Sequence, residues 1–261
     1  MTLPEPDITV NVDVTNPGQF FACCGLLELA DRLSPGAEGW FESESFVIAP
    51  ACSMGDLLKS ICEADLEQLE PDNETASPMR LGGGFDMVLD WWNDELTHGK
   101  ALKVWAGSMR SVRIAHAMKQ AMADAPDDRG LLDYAAIVYD PDNPRKKVEP
   151  YYFDSRRGWN AQARDLGFSP DSLKMTTIAY PGVEFLCLVG LQRFRPAPTE
   201  RSRVFAYCTW HFPLPLAIAP AAASGTMPNA SRSTYRFENG FRTDQRKHKS
   251  FLPATPIGDS S

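Results

Sequence analysis

Asn16-Pro17-Gly18-Gln19-Phe20-Phe21-Ala22-Cys23-Cys24-Gly25-Leu26-Leu27-Glu28-Leu29-Ala30 reads as a helix with a defined start and an apolar interior. Asn16 offers a side-chain oxygen to an amide of the first turn. Pro17 suits the first helical position, where an N–H would have no partner anyway. The apolar residues continue through Leu33 and leave little polar face, which places the helix inside the fold. Its first amides also form an end able to hold a phosphate through unpaired N–H groups and the helix dipole. Every helix has such an end, so a capped core helix with a close packing contact at Gly18 is the preferred reading.

This pattern has an echo. Pro17-Gly18-x-x-Phe21-x-Cys23-x-x-x-Leu27 matches Pro181-Gly182-x-x-Phe185-x-Cys187-x-x-x-Leu191, five identities over eleven positions. A duplicated strand–helix unit of the ferredoxin-like kind would explain it. Chance similarity between two core helices explains it as well.

Working outward, Ile8–Val14 alternates apolar and polar residues as a half-buried strand does, and Phe46–Ile48 reads as a short strand. Helical periodicity is predicted over Asp56–Leu69, over Ser108–Ala123 with Val112, Ile114, Ala115, Met118 and Met122 inward, and over Pro181–Phe194. Strands are predicted at Phe85–Trp92, Tyr134–Tyr139 and Val204–Phe212. Residues 71–78 read as a polar loop, and Ala221–Gly225 as small and flexible. Thr234–Arg242 alternates around Asn239-Gly240, a strong signal for a hairpin turn. The last ten residues read as a fraying end. The expected class is α+β, a mixed sheet with packed helices and a C-terminal β-hairpin. Asp140–Lys147 is rich in turn residues and divides an acidic body, 1–140, from a second α+β half, 141–261, unless the two form one domain.

Composition narrows the functions. With 261 residues, 43% hydrophobic and 10% aromatic, the chain can bury a large core and is no disordered tail. No window approaches the ~20 apolar residues of a membrane span. The acidic, proline-bearing start Met1–Asp7 is unlike a secretory signal, so a cytoplasmic protein is expected. The six cysteines form no C-x-x-C pair and read as small hydrophobes; the four histidines show no metal spacing. Net charge is −8, against a free-standing nucleic-acid binder. Yet residues 201–261 hold eight basic and three acidic side chains, +5, leaving −13 for residues 1–200. An acidic body with a basic tail segment suits a protein that docks on partners and touches phosphate locally.

Catalytic patterns are weak. Gly82-Gly83-Gly84 lacks a following Lys-Ser/Thr and leads into strand-like alternation, so it reads as a tight turn rather than a phosphate loop. Carboxylates such as those of Glu63–Glu70 are spread along a solvated face. Nothing supports histidine-centred acid–base chemistry, and neither an enzymatic role nor a cofactor is expected.

Two segments suit polyanion contact. Tyr151–Arg164 interleaves aromatics with Arg156, Arg157, Trp159, Asn160 and Arg164; aromatic faces can stack on bases while arginines meet phosphates. The competing reading is a loop salt-bridged to the acidic body with its aromatics in the core. Arg232, Arg236, Arg242, Arg246, Lys247 and Lys249 belong to the basic hairpin, which could track a phosphate backbone or form a solvated terminus.

Three stretches carry a family resemblance: the Asn16–Leu33 helix, Leu102-Lys103-Val104-Trp105-Ala106-Gly107 with the helix after it, and Tyr180-Pro181-Gly182-Val183-Glu184-Phe185 through Gly190-Leu191-Gln192-Arg193-Phe194-Arg195-Pro196. They resemble large-subunit-like proteins of type I-U (I-G) CRISPR systems, as do Asp154–Asn160 and Leu166–Pro170. The resemblance implies a non-catalytic subunit of a Cascade-like surveillance complex in antiviral defence. Such subunits recognise the protospacer-adjacent motif, help open target DNA and dock the helicase–nuclease. The expected partners are sister effector subunits, crRNA and target DNA. This chain is shorter than many large subunits and ends in a strand-rich basic segment instead of a helical bundle, so no motif-reading residue is carried over. A scaffold without nucleic-acid contact and a guide-RNA-processing enzyme are the rival expectations.

Overall fold

The computed structural model describes residues 4–105, 109–157, 178–227, 230–242 and 248–258, with the side chains of 231 and 232 left out. Strand β1 (Ile8–Asn11) leads into α1 (Pro17–Leu33), whose N-cap is Asn16: its Oδ1 accepts from the Gly18 amide at 3.1 Å. Strands β2 (Glu38–Glu42) and β3 (Ser45–Ala49) follow, then α2 (Met54–Glu63). Ser53 caps α2 by accepting from the Asp56 amide, while its hydroxyl donates to the Asp56 carboxylate. The helical periodicity expected through Leu69 ends at Glu63. Ala64 turns extended, and β4 (Leu66–Gln68) pairs with β5 (Met79–Leu81), which pairs with β6 (Met87–Leu89). Available strand partners overrode the local pattern.

Beyond β6 come a 3-10 turn at Trp91–Asn93, short helix α3 (Gly99–Leu102) and α4 (Ser111–Ala121). Of the strand expected over Tyr134–Tyr139, only Tyr139 enters one; residues 134–138 form no strand and make an isolated bridge, Ala136 to Ala179. The expected linker is instead an exposed hairpin of β7 (Tyr139–Asp140) and β8 (Asn143–Lys147). Then come α5 (Pro181–Arg193), β9 (Ala197–Pro198), β10 (Val204–Trp210) and β11 (Leu214–Pro215). Ala219–Ala223, which overlaps the first three residues of the segment read as flexible, forms a short helix α6 packed on β10, as suits four alanines with Pro at the second position. The chain closes with β12 (Ser231–Phe241), β13 (Lys249–Phe251) and β14 (Thr255–Ile257).

The class is α+β. One antiparallel sheet has the order β1-β3-β2-β11. A second has β13-β12-β10-β9 with β14 also on β12, and smaller sheets of three and two strands complete the set. The C-terminal hairpin is present, but its turn is not at Asn239-Gly240. β12 runs straight through that pair and turns back only beyond Arg242, with Asn239 opposite Phe251 and Phe241 opposite Lys249. β10 pairs with β12 as far as Glu238, which keeps the backbone extended there. The C-terminal stretch expected to fray is held as far as Ile257: Thr255–Ile257 pairs with 234–236, and the Ala254 amide donates to the Thr15 carbonyl at 2.7 Å, while residues 259–261 lie outside the described residues.

The two echoed helices are neighbours. Glu28 of α1 meets Arg193 near the end of α5, while Asn16 and Glu184, at the two helix starts, both bind the 152–155 segment. The helices therefore run parallel. They touch at Gly25 and Gly190: a Cβ on Gly25 would collide with the Leu186 carbonyl, and one on Gly190 with the Phe21 carbonyl. Only glycine lets the backbones approach so closely. The flanking strands lie in different sheets, β1 with β3 and β10 with β12 and β9. Elements on both sides of residue 140 share one buried core, in which β11 pairs with β2 and α1 packs on α5. Among the described residues, no helix is long and apolar enough to cross a membrane.

Candidate nucleic-acid interface

Tyr151–Arg157 is fastened to the helix starts. Tyr151 and Phe153 are fully buried, packed at tilted angles among Trp105, Trp91 and Phe251. Glu184, at the start of α5, accepts the amides of Tyr152, Phe153 and Asp154 at 3.0, 3.2 and 3.1 Å. Burial pushes its carboxyl up to about 7, with the nearby Asp154 charge adding to the rise and the three amides opposing it. Asn16 bridges α1 to the same segment, accepting from the Ser155 amide and donating to the Asp154 carboxylate at 3.0 Å. Gly18 is needed there as well, because a Cβ would strike the Phe153 carbonyl. The helix end that resembled a phosphate site is occupied by the protein's own chain.

Arg156 belongs to this buried network. Its guanidinium binds Asp154 at 2.7 Å, Asp133 at 2.8 Å and the Leu132 carbonyl at 2.8 Å, and lies 3.5 Å from the centre of the Tyr180 ring. Burial is the largest single effect and works to lower its pKa, but the hydrogen bonds to Asp154 and Asp133 and the attraction of Asp154 together outweigh it and raise the pKa. Its donors are taken up by the protein's own acceptors. Arg157 follows with its Nε buried and without a hydrogen-bond partner. Trp159, Asn160 and Arg164 lie outside the described residues, as do Arg246 and Lys247; Arg232 lies on β12, its side chain undescribed.

The other predicted cations separate. Arg236 is exposed on β12 opposite Ala206 and Thr255, six residues from Arg242 and therefore about 20 Å along the strand. Lys249, by contrast, meets two cations that the sequence reading did not select, Lys103 and Arg203, and Arg242 lies on the Tyr152 ring. Asn239 sets this up: its amide donates to the carbonyls of Ala101, Leu102 and Lys103 at 2.9, 2.9 and 3.3 Å, closing the end of α3 onto β12. The Lys249 amide then reaches the Val104 carbonyl, and its Nζ the Ala101 carbonyl at 3.4 Å.

The result is a patch of cations laid on aromatic faces. Arg242 covers Tyr152 at 3.5 Å, Arg203 covers Phe241 at 4.6 Å, and Lys103 lies 5.1 Å from the Trp105 ring. Glu238 reaches Arg203 only at 4.0 Å and shares itself with Arg201. The Nε atoms of Arg203 and Arg242 are buried without a hydrogen-bond partner. Lys249 is pushed down to about 8, first by burial and then by repulsion from Arg203 and Lys103. Burial and Lys100 likewise lower Lys103. Crowded cations with unused donors favour an incoming anion.

The basic hairpin marked Arg242 and Lys249 in the sequence, but no linear signal marked Lys103 and Arg203, which come from two other places in the chain. Among the described residues, no three His, Cys, Asp or Glu side chains gather as a metal site. Burial pushes the Cys23, Cys24 and Cys187 thiols up, away from the reactive thiolate. Comparison with known protein families, curated proteins and solved structures finds no match to this chain.

Proposed function

We propose that this chain is a non-catalytic subunit of a type I-U (I-G) CRISPR effector complex of the Cascade kind. Its acidic body meets sister subunits, and its basic patch touches the backbone of crRNA or target DNA. The observation that carries the nucleic-acid contact is the convergence of Lys103 and Arg203 on Lys249, with like-charge repulsion at Lys249, and the guanidinium nitrogens of Arg203 and of Arg242, which lies on Tyr152, that have no hydrogen-bond partner. The complex itself rests on the sequence resemblance. Because the patch's aromatic faces are already covered by its own cations, it reads phosphate charge and leaves base identity to pairing.

Gel mobility of labelled RNA and DNA with the purified protein tests this reading. Arg203→Ala with Arg242→Ala should weaken binding and flatten its salt dependence by about 0.7 per lost phosphate contact on a single strand. A scaffold without nucleic-acid contact predicts the opposite: partners co-purify after nuclease treatment, and no strand crosslinks to the chain. Cleavage of repeat RNA by the isolated protein would overturn the non-catalytic reading.

A further inference from the structure

Lys103, Arg203 and Lys249 do not form a row. They gather around one point, and Asn239 is the reason. Its backbone amide donates to the Arg203 carbonyl at 2.9 Å, and its side-chain amide to the carbonyls of residues 101–103. Lys249 holds the same segment from the neighbouring strand, with its Nζ 3.4 Å from the Ala101 carbonyl. Phe241, the cross-strand neighbour of Lys249, carries the Arg203 guanidinium on its ring. The charges of Arg203 and Lys103 therefore both act on Lys249 and oppose its protonation.

The acids of the same elements do not balance this charge. Residues 100–104, 200–203, 238–241 and 249–251 hold five cations, Lys100, Lys103, Arg201, Arg203 and Lys249, against two acids, Glu200 and Glu238. Glu238 is loosely placed as a partner, 3.5 Å from Arg201 and 4.0 Å from Arg203, beyond the about 2.7–2.9 Å of a charge-assisted hydrogen bond. Arg203 is also held at φ +61, a left-handed conformation that glycine adopts without strain and arginine does not. The backbone of this turn would be better served by glycine, so the guanidinium is retained there at a cost.

A phosphodiester within a strand brings one negative charge and two free oxygens. A terminal phosphate monoester brings about −1.5 to −2 near pH 7, spread over three oxygens. Cations spaced in a row suit a run of diesters, whereas cations converging on one point suit the more highly charged end group. We propose that this cluster binds the terminal phosphate monoester of a polynucleotide strand, which displaces Glu238 from Arg201 and Arg203. The inference rests on the proposed nucleic-acid contact and names the group that makes it.

Fluorescence anisotropy on the full chain tests this with one short homopolymer, labelled internally, that carries a 5′-phosphate, a 3′-phosphate or hydroxyls at both ends. One of the phosphorylated strands should bind about tenfold more tightly than the hydroxyl-ended strand, as an added charge-assisted contact would give. Arg203→Gly relieves the left-handed backbone, so thermal melting should stay near wild type while the preference for that end disappears. Lys249→Gln should abolish it too. Glu238→Gln removes the internal competitor and should tighten the phosphorylated strand severalfold. Equal affinity for all three strands overturns the terminal site and keeps the backbone contact. Inorganic phosphate that displaces the strand when neither end is preferred assigns the cluster to a free ion, and overturns the terminal site as well. An end preference that survives both Arg203→Gly and Lys249→Gln places the end elsewhere on the chain and overturns the assignment. Weaker binding in Glu238→Gln makes that carboxylate a support for the arginines and overturns the displacement. Failure of wild type to bind any strand overturns the contact and the terminal site together.

Discussion

Arg156 and Arg242 each lie 3.5 Å from the centre of a tyrosine ring, Tyr180 and Tyr152 respectively, yet their surroundings differ in charge. Two carboxylates, Asp154 and Asp133, bind the first; among the described residues, no carboxylate makes an ion pair with the second. The first guanidinium locks the 151–157 segment to α1 and α5. The second lies on Tyr152 with a buried Nε that has no hydrogen-bond partner. An arginine stacked on an aromatic ring is therefore ambiguous in sequence, and the acids around it decide whether it holds the fold or awaits an anion.

The largest test of that contrast is Asp154→Ala. The buried carboxylate binds Arg156 and accepts from the Asn16 amide group, so its removal leaves a half-buried cation short of a partner. The cost should be about 3–5 kcal/mol, read as a lower urea midpoint. Strand affinity of the molecules that remain folded should hold. A shift under about 1 kcal/mol would mean the segment is not fastened as the hydrogen bonds indicate.

Glu184 sharpens the same side of the contrast through pH. Its carboxyl is raised from 4.5 to about 7 in the fold, so the folded state favours the protonated form. That contribution is complete below pH 4.5 and is lost as pH rises through about 7. Glu184→Gln cannot ionise. Wild-type stability relative to the variant should therefore fall by about 3 kcal/mol between pH 4.5 and 8. Paired urea titrations check this; a constant difference would show that the three amides hold the carboxylate ionised throughout.

The patch should respond in the opposite way. Arg203→Ala with Arg242→Ala removes two cation–aromatic contacts and no buried ion pair, so stability should change by about 1–2 kcal/mol. Binding of a single strand should fall by tenfold or more. Arg156→Ala should do the reverse, destabilising the chain with no change in the salt slope. If Arg156→Ala flattens the slope as much as the patch variant does, the division between the two regions fails.

Much of the framework was legible because local chemistry and burial agreed. Asn16 and Pro17 mark a helix start that no other residue pair contradicts, and Pro181 marks the second. Where local and tertiary preferences conflicted, the sequence misled. Asn239-Gly240 has turn chemistry, but β10 and the end of α3 compete for the same backbone and side chain and hold it extended. Leu66–Gln68 has helical spacing but finds a strand partner in Met79–Leu81. Arg156 advertised itself as a phosphate ligand although Asp154 stands two residues before it; the decisive second acid, Asp133, is distant in sequence. The patch was only half legible for a related reason. Lys103 reaches Lys249 because Asn239 pins the end of α3 to β12, a contact that nothing in the sequence announces.

The smallest expected effect isolates one member of that patch. Lys249 stands at about 8 in the folded chain against 10.5 ordinarily, through burial and the charges of Arg203 and Lys103. In the folded state the neutral amine is favoured, so its stabilising share is present above pH 10.5 and is lost as pH falls through about 8. A phosphate placed among these cations reverses the preference by restoring the ammonium, so binding above pH 8 should take up a proton. Strand affinity should then fall by up to about tenfold between pH 7 and 9 as the free protein loses that charge. Lys249→Arg keeps the cation charged across the range and should remove the dependence while leaving affinity at pH 7 near wild type. An equal pH dependence in Lys249→Arg would assign the titration to another group, and a flat wild-type profile would place the strand beyond the reach of Lys249.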